Sequence, residues 1–167
     1  MAIALGQIFG LTTIVTAGSD LLKKQWIGRM LKGKAMAAFA MTEPNAGSDV
    51  VSMETTAVVD GGEYILNGRK TFISNAGIAD FYTVFAVTNP AKGHRGISCF
   101  VVAADTPGLH FAGPQLLSTP HPLGDIVFNN CRVPASTLIG EEGKGFHLGM
   151  ATLDCLRATV GAAACGM

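Results

Sequence analysis

The chain has 167 residues, 49% of them apolar, and 12 Lys plus Arg balance 12 Asp plus Glu for no net charge. That is about one domain's length, with enough apolar side chain to build a core. It offers no basic excess for a nucleic-acid partner, and that class is set aside.

Residues 1–18, MAIALGQIFGLTTIVTAG, carry no charge. A signal peptide needs a basic segment ahead of its apolar core, and a membrane span needs a run undiluted by Gln7, Thr12, Thr13, Thr16 and glycines. The expectation is a buried helix of a helical domain. Ser19 and Asp20 form an N-cap for a second helix, in which Leu22, Trp26 and Met30 recur every four residues and Leu31 closes the stripe. Lys23, Lys24, Arg29 and Lys32 fall largely on the other side, as a solvated face does, and Gly33 suits a C-cap.

After Lys34 the helical spacing gives way to short runs rich in Val, Thr, Phe and Tyr, separated by turn residues. TTAVVD and GGEYILNG read as a hairpin turning at Asp60, Gly61 and Gly62. FYTVFAVTN and ISCFVVAAD flank the loop NPAKGHRG, and TPGLHFAG and DIVFNNCRVP add at least two more strands. Strands without intervening helices indicate an antiparallel sheet or barrel of about 100 residues and exclude a doubly wound fold. The class is α+β by content: a middle antiparallel β-barrel flanked by helical segments.

Helical signals return after Gly140. GEEGKGFHLGM contains G-x-G-x-x-x-G, but no βαβ pattern surrounds it and its spacing misses the dinucleotide fingerprint. Its glycines read as a flexible entry to a last helix, where Leu153, Leu156 and Val160 line one face and Gly161 with Ala162 to Ala164 would admit a close neighbour. Ending on ACGM without a C-cap, the chain reads as stopping inside that helix.

Cys99, Cys131, Cys155 and Cys165 lie far apart with no C-x-x-C pair, as free thiols do, and His94, His110, His121 and His147 are equally scattered. These patterns point to loop or surface hydrogen bonds rather than a metal. The unusual stretch is residues 39–49, FAMTEPNAGSD, where Pro44 and Gly47 shape a polar loop that contains no His, Cys or Lys.

MTEPNAGSD, followed at the expected distance by LNGRKTFISNAG, resembles the two signature segments of the acyl-CoA dehydrogenase family. The resemblance continues through GHRGISCFVV, PLGDIVFNNCRVP and LIGEEGKGFHLGMATLDCLRATVGAAACG, covering about Leu21 to the end. It implies residues 1–34 as the end of an N-terminal helical domain, 35–138 as a middle β-barrel and 139–167 as the start of a C-terminal helical domain. It also implies FAD-dependent α,β-dehydrogenation of an acyl-CoA thioester, with electrons passed to an electron-transferring flavoprotein.

By the same resemblance Phe39, Met41 and Thr42 meet the isoalloxazine edge, and Ser48 lies toward the CoA moiety. Phe72, Ile73 and Ser74 match the family's aromatic, Ile and Thr triplet. Phe72 stands where Trp is common and Ser74 where Thr is common, and each keeps the π-face or hydroxyl that the role needs. Core packing is the competing reading for Phe72 and Ile73, and a turn role for Ser74. Glu43 and Asp49 become structural, with Glu43 ordering the loop.

Asp154 and Arg157 share a helix face, as an intrahelical ion pair or, by resemblance, as acyl-CoA contacts. Leu156 occupies the position where the isovaleryl and long-chain branches carry the catalytic base, so no catalytic residue is assigned and the chain alone is expected to be inactive. A non-catalytic flavin- or CoA-binding module and a structural subunit completed by a partner chain are the readings from other classes. The family context further implies a homo-oligomer and a bacterial cytoplasm or mitochondrial matrix. Acyl chain length and the choice between dehydrogenase and oxidase stay open.

Overall fold

The computed structural model describes residues 2–118 and 121–166. The elements run α1 (Ala2–Ala17), α2 (Asp20–Leu31), β1 (Ala37–Ala40), β2 (Thr56–Asp60), β3 (Glu63–Ser74), β4 (Phe81–Val87), β5 (Ile97–Ala103), β6 (Leu109–Pro114), β7 (Leu123–Pro134) and α3 (Gly145–Cys165). The strands form one sheet in the order β1-β4-β2-β3-β7-β6, with β5 also on β4. The sheet curls into a half-barrel with helices flanking it.

The barrel-like sheet between helical segments is as expected, while its sense is mixed where an antiparallel one was expected. Hairpin neighbours β2–β3, β4–β5 and β6–β7 are antiparallel, as is β3–β7, but β1 runs parallel to β4 and β2 touches β4 in the same sense at Thr56 and Val87. The reason is connectivity. The polar loop and the β2–β3 hairpin intervene between β1 and β4, and a connection of that length frees the second strand to run in the same direction as the first. The hairpin itself is as expected: Asp60 pairs with Glu63, leaving Gly61 and Gly62 as a two-residue turn with φ of 59° and 88°.

Alternation along β4 and β5 divides the core in two. Tyr82, Val84, Ala86, Phe100 and Val102 point into the half-barrel beside Leu66, Ile126, Phe128 and Val133. Phe81, Phe85, Ile97, Cys99 and Val101 point the other way, against Ile14, Trp26, Ile139 and Leu148. Both faces of these strands are thus covered, which is why their sequences lack a polar alternate.

The helices bury less than the sequence suggests. In α1 Thr13 and Ile14 are buried while Ile8 and Val15 are exposed, so the helix offers a stripe to the sheet and is not enclosed. In α2 Leu22, Trp26 and Met30 are buried, but Leu31 is 76% exposed and does not continue the stripe. Ser19 caps α2 by accepting the Leu22 N–H at 3.3 Å. Gly33, at φ 66°, donates to the Met30 carbonyl and Lys34 to that of Arg29, a Schellman ending. No helix among the described residues is long and apolar enough to cross a membrane.

The glycines leading into α3 serve contact rather than flexibility. A Cβ on Gly145 would stand 2.5 Å from the Ser98 carbonyl carbon and 2.9 Å from the Cys99 nitrogen, so only glycine lets the helix start against β5. Gly149 likewise faces Met41 and Phe85. Gly145→Ala is expected to lower stability by about 1–3 kcal/mol through overpacking against an unyielding backbone. Urea titration of the variant and the wild-type chain measures this.

Candidate functional site

One cavity of about 440 Å³ gathers the two segments that the sequence singles out. Phe39, Met41, Thr42, Gly47 and Val50 line it from β1 and the loop after it, Phe72 and Ser74 from the end of β3, and Leu153 and Val160 from α3, with Phe9 and His121 completing the wall. Such a volume, apolar around a few convergent polar groups, is that of a small-molecule site.

The loop between β1 and β2 owes its shape to one buried ion pair. Lys70, in the middle of β3, has no exposed surface, and its Nζ donates to Glu43 Oε1 at 2.7 Å and to the Met41 carbonyl at 3.1 Å. The Glu43 carboxylate also accepts the backbone N–H of Glu54 at 2.5 Å and of Thr55 at 3.0 Å. Glu43 and Ala46 exchange backbone hydrogen bonds around Pro44 and Asn45, and Thr42 accepts the N–H of Thr71 through its carbonyl at 2.9 Å. Burial alone would raise the Glu43 carboxyl, but the Lys70 charge and these hydrogen bonds outweigh it and hold it below its ordinary value. Burial pushes the Lys70 ammonium down to about 8 against the pull of Glu43, leaving it charged at neutral pH.

Phe72 reaches the cavity through a β-bulge. Lys70 pairs with Ile126 and Ile73 with Gly124, so Thr71 and Phe72 together oppose Asp125 alone. Phe72 takes a left-handed φ of 55° and stays 57% exposed. Left-handed backbone is strained for an aromatic residue, and it turns outward a ring that a regular strand would have placed differently. The bulge is fixed from behind: Asp125 accepts from Thr71 Oγ1 at 2.6 Å, Arg69 Nη2 at 2.6 Å and Gln115 Nε2 at 2.6 Å. Burial would raise the Asp125 carboxyl, and the bonds from Thr71 and Arg69 bring it below its ordinary value. At the far end of β3, Ser74 Oγ lies 2.8 Å from His121 Nε2, and Asn75 donates its side-chain amide to the Ala37 carbonyl at 3.0 Å.

Of the residues expected to meet a cofactor, Phe39, Met41, Thr42, Phe72 and Ser74 line this cavity. The Ile73 side chain turns into the half-barrel core at 1% exposure, as the packing reading of that residue had it. Ser48 is exposed beside the lining residue Gly47 and does not itself line the cavity. Asp154 and Arg157 form an exposed ion pair at 3.3 Å, with Arg157 about 40° around α3 from Leu153. Leu156 is buried. The site also contains residues that sequence reasoning passed over: Phe9 from α1, Val50 from the loop and His121, read only as a loop hydrogen bond. No local pattern ties His121 to Ser74, since they meet only because the ends of β3 and β7 pair.

The walls suit a flat aromatic ring system with a polar edge. Phe72 offers an open π-face, Phe39 is backed by Phe85 at 5.0 Å and Phe9 at 5.7 Å, and Thr42, Ser74 and His121 supply hydrogen-bonding groups. None of the described lining residues is a carboxylate.

The comparisons with known proteins agree on one family. The model described as "Acyl-CoA dehydrogenase, middle domain" matches residues 38–131. A "Probable acyl-CoA dehydrogenase" of Mycobacterium leprae is 44% identical over 161 residues, which are 95% of this chain and 41% of that protein. The "Acryloyl-CoA reductase (NADH)" of Anaerotignum propionicum is 42% identical over 90% of this chain and 39% of its own length. Among solved structures, butyryl-CoA dehydrogenase from Megasphaera elsdenii matches with a TM-score of 0.88 and 35% identity, over 91% of this chain and 41% of that one. The chain thus spans about two-fifths of the length of the relatives it matches.

Because Glu43 and Asp125 are held below their ordinary values of 4.5 and 3.8, the unfolded chain binds more protons than the folded one in acid. Their stabilising effect is complete above those values and is lost as pH falls through the folded ones. The urea midpoint is expected to fall below pH 4.5, and Asp125→Asn is expected to flatten part of that dependence; titrations across the range measure both.

Proposed function

The chain belongs to the acyl-CoA dehydrogenase family, and on that premise we propose that its cavity holds the isoalloxazine system of FAD. The observation that carries this reading is the meeting of Phe39, Met41 and Thr42 with Phe72 and Ser74 in one cavity. These residues lie on two separate segments, and the sequence resemblance assigns both segments to the flavin. Phe72 covers one face of the ring, and its exposed aromatic surface supports that assignment. Thr42, Ser74 and His121 satisfy the polar edge, where each unpaired buried group would cost about 1–3 kcal/mol. The main chain at Met41 and Thr42 adds contacts to that edge, and Ile73 contributes by fixing the strand between Phe72 and Ser74.

When bound, FAD supplies the two-electron acceptor for α,β-dehydrogenation of an acyl-CoA thioester, with an electron-transferring flavoprotein receiving the electrons in turn. In the whole protein, Ser48 and Arg157, with Asp154, bind the acyl-CoA from the loop and α3. The described lining holds hydroxyls and an imidazole and no carboxylate, and Leu156 has no proton-accepting group. We therefore assign to this chain the holding and orienting of the cofactor, and expect no turnover from it alone. For the whole protein we propose a homo-oligomer in the bacterial cytoplasm or mitochondrial matrix. Residues 1–34, 35–138 and 139–167 we take as the end of a helical domain, the barrel and the start of a second helical domain.

Gel filtration of the chain after mixing with FAD is expected to leave a visible flavin band with the protein fraction. Phe72→Ala is expected to weaken binding by about 1 kcal/mol, roughly fivefold, through loss of the stacking face. A colourless protein fraction would remove the reading.

A further inference from the structure

Among the described residues the most buried charge, Lys70, does not itself line the cavity but bonds to Met41, which does. Lys70 is the largest fully buried side chain, and its ammonium reaches two groups of the polar loop, the Met41 carbonyl and the Glu43 carboxylate. Thr42, which lines the cavity, stands between them. The same carboxylate takes the N–H groups of Glu54 and Thr55, where the loop returns to β2. One lysine therefore fastens the start of the loop directly and its end through Glu43.

The neighbouring geometry allows little slack. A Cβ on Gly68, two residues before Lys70, would stand 2.5 to 2.8 Å from Thr55, so the returning end of the loop lies hard against β3. The residues that Lys70 spans include Thr42, Gly47 and Val50 of the cavity wall. Burying an ion pair rarely adds net stability over an apolar pair of similar shape. Its strength lies in direction: a charged donor holds a carbonyl and a carboxylate at fixed places.

We propose that Lys70 is a positioning residue for the cofactor cavity, setting the place of Thr42 and the 41–55 loop through the Met41 carbonyl and Glu43. The proposal rests on the reading of the cavity as a flavin site, and it adds a second role for β3. Phe72 and Ser74 reach the cofactor directly from the strand's end, while Lys70 acts from its middle through the loop.

The test uses the chain with FAD as probe and two measurements: the FAD dissociation constant, and amide hydrogen exchange across residues 42–54. Lys70→Met strands the Glu43 carboxylate. The double variant Lys70→Met with Glu43→Gln removes both charges and keeps the approximate shape, so it serves if the single variant does not fold. Both are expected to weaken FAD binding roughly tenfold or more, the loss of one charge-assisted hydrogen bond. Exchange is expected to quicken in 42–54 and not in β4 or β5. Tyr64→Phe is the control, since it loses a hydroxyl bond to Glu142 at 2.7 Å, well away from the loop. It is expected to lower the melting temperature without weakening FAD binding.

In the wild-type chain the groups facing the ammonium are Glu43 from the loop and Cys99 from β5, and FAD binding is expected to weaken as pH rises through about 8. This readout needs no variant to fold. Wild-type affinity and wild-type exchange in a folded Lys70 variant would overturn the proposal, as would a flat pH profile. So would affinity that merely tracks melting temperature, Tyr64→Phe included. If the wild-type chain binds no FAD, the flavin reading fails by itself, and exchange in 42–54 still decides whether Lys70 orders the loop.

Discussion

A lysine ammonium without access to water has to be matched group by group, because an unpaired buried charge costs more than most single contacts return. In this chain the match is made by Glu43 and the Met41 carbonyl, both on a loop with little regular structure of its own. The consequence runs from charge to shape. The loop cannot leave the sheet without exposing Lys70 to an apolar core, so a polar segment of turns and one short 3₁₀ turn behaves as part of the half-barrel. Its cavity-facing residues inherit the rigidity of β3.

β3 brings two different devices to the same place. Regular pairing with β2, and pairing with β7 that shifts register between Leu66 and Gly68, holds its first half, where Tyr64 and Leu66 fill the half-barrel. The bulge opposite Asp125 then breaks the alternation, so that Phe72 turns outward while Ile73 stays in the core. Asp125, paired with Arg69 and bonded to Thr71 and Gln115, keeps the bulge from relaxing. Strain at Phe72 and the polar cluster behind it belong together: the second maintains the conformation that the first disfavours.

Much of this was legible in the sequence, and the parts that were not have physical causes. Strands β2 and β4 to β7 follow from their Val, Phe and Tyr content and the turns between them, and the Gly61–Gly62 turn from its two glycines. β1 was not visible, because three of the four residues of AAFA are alanines, which are depleted in strands, and its extended partner β4 lies far along the chain. Its parallel sense was hidden for the same reason. The exposure of Leu31 could not be read either, since a helical stripe gives a direction and not the extent of what covers it. In the site, the two signature segments were recognisable as motifs, and their meeting in one cavity required the fold. Glu43 was legible as a loop-ordering residue. Its partner Lys70 was not, because a lysine inside a strand normally signals a solvent-facing position.

The central claim is that one cavity, framed by the 39–50 loop, the end of β3 and the middle of α3, is where this chain meets FAD. Amide NMR of the chain titrated with FAD tests it most directly. The account predicts shifts concentrated at Phe39 to Val50, Phe72 to Ser74, His121 and Leu153 to Val160, with the β4 and β5 core unmoved. Shifts centred elsewhere, for instance on Lys92, Arg95 and Lys144 at the entrance to α3, or no shifts at all, would contradict it.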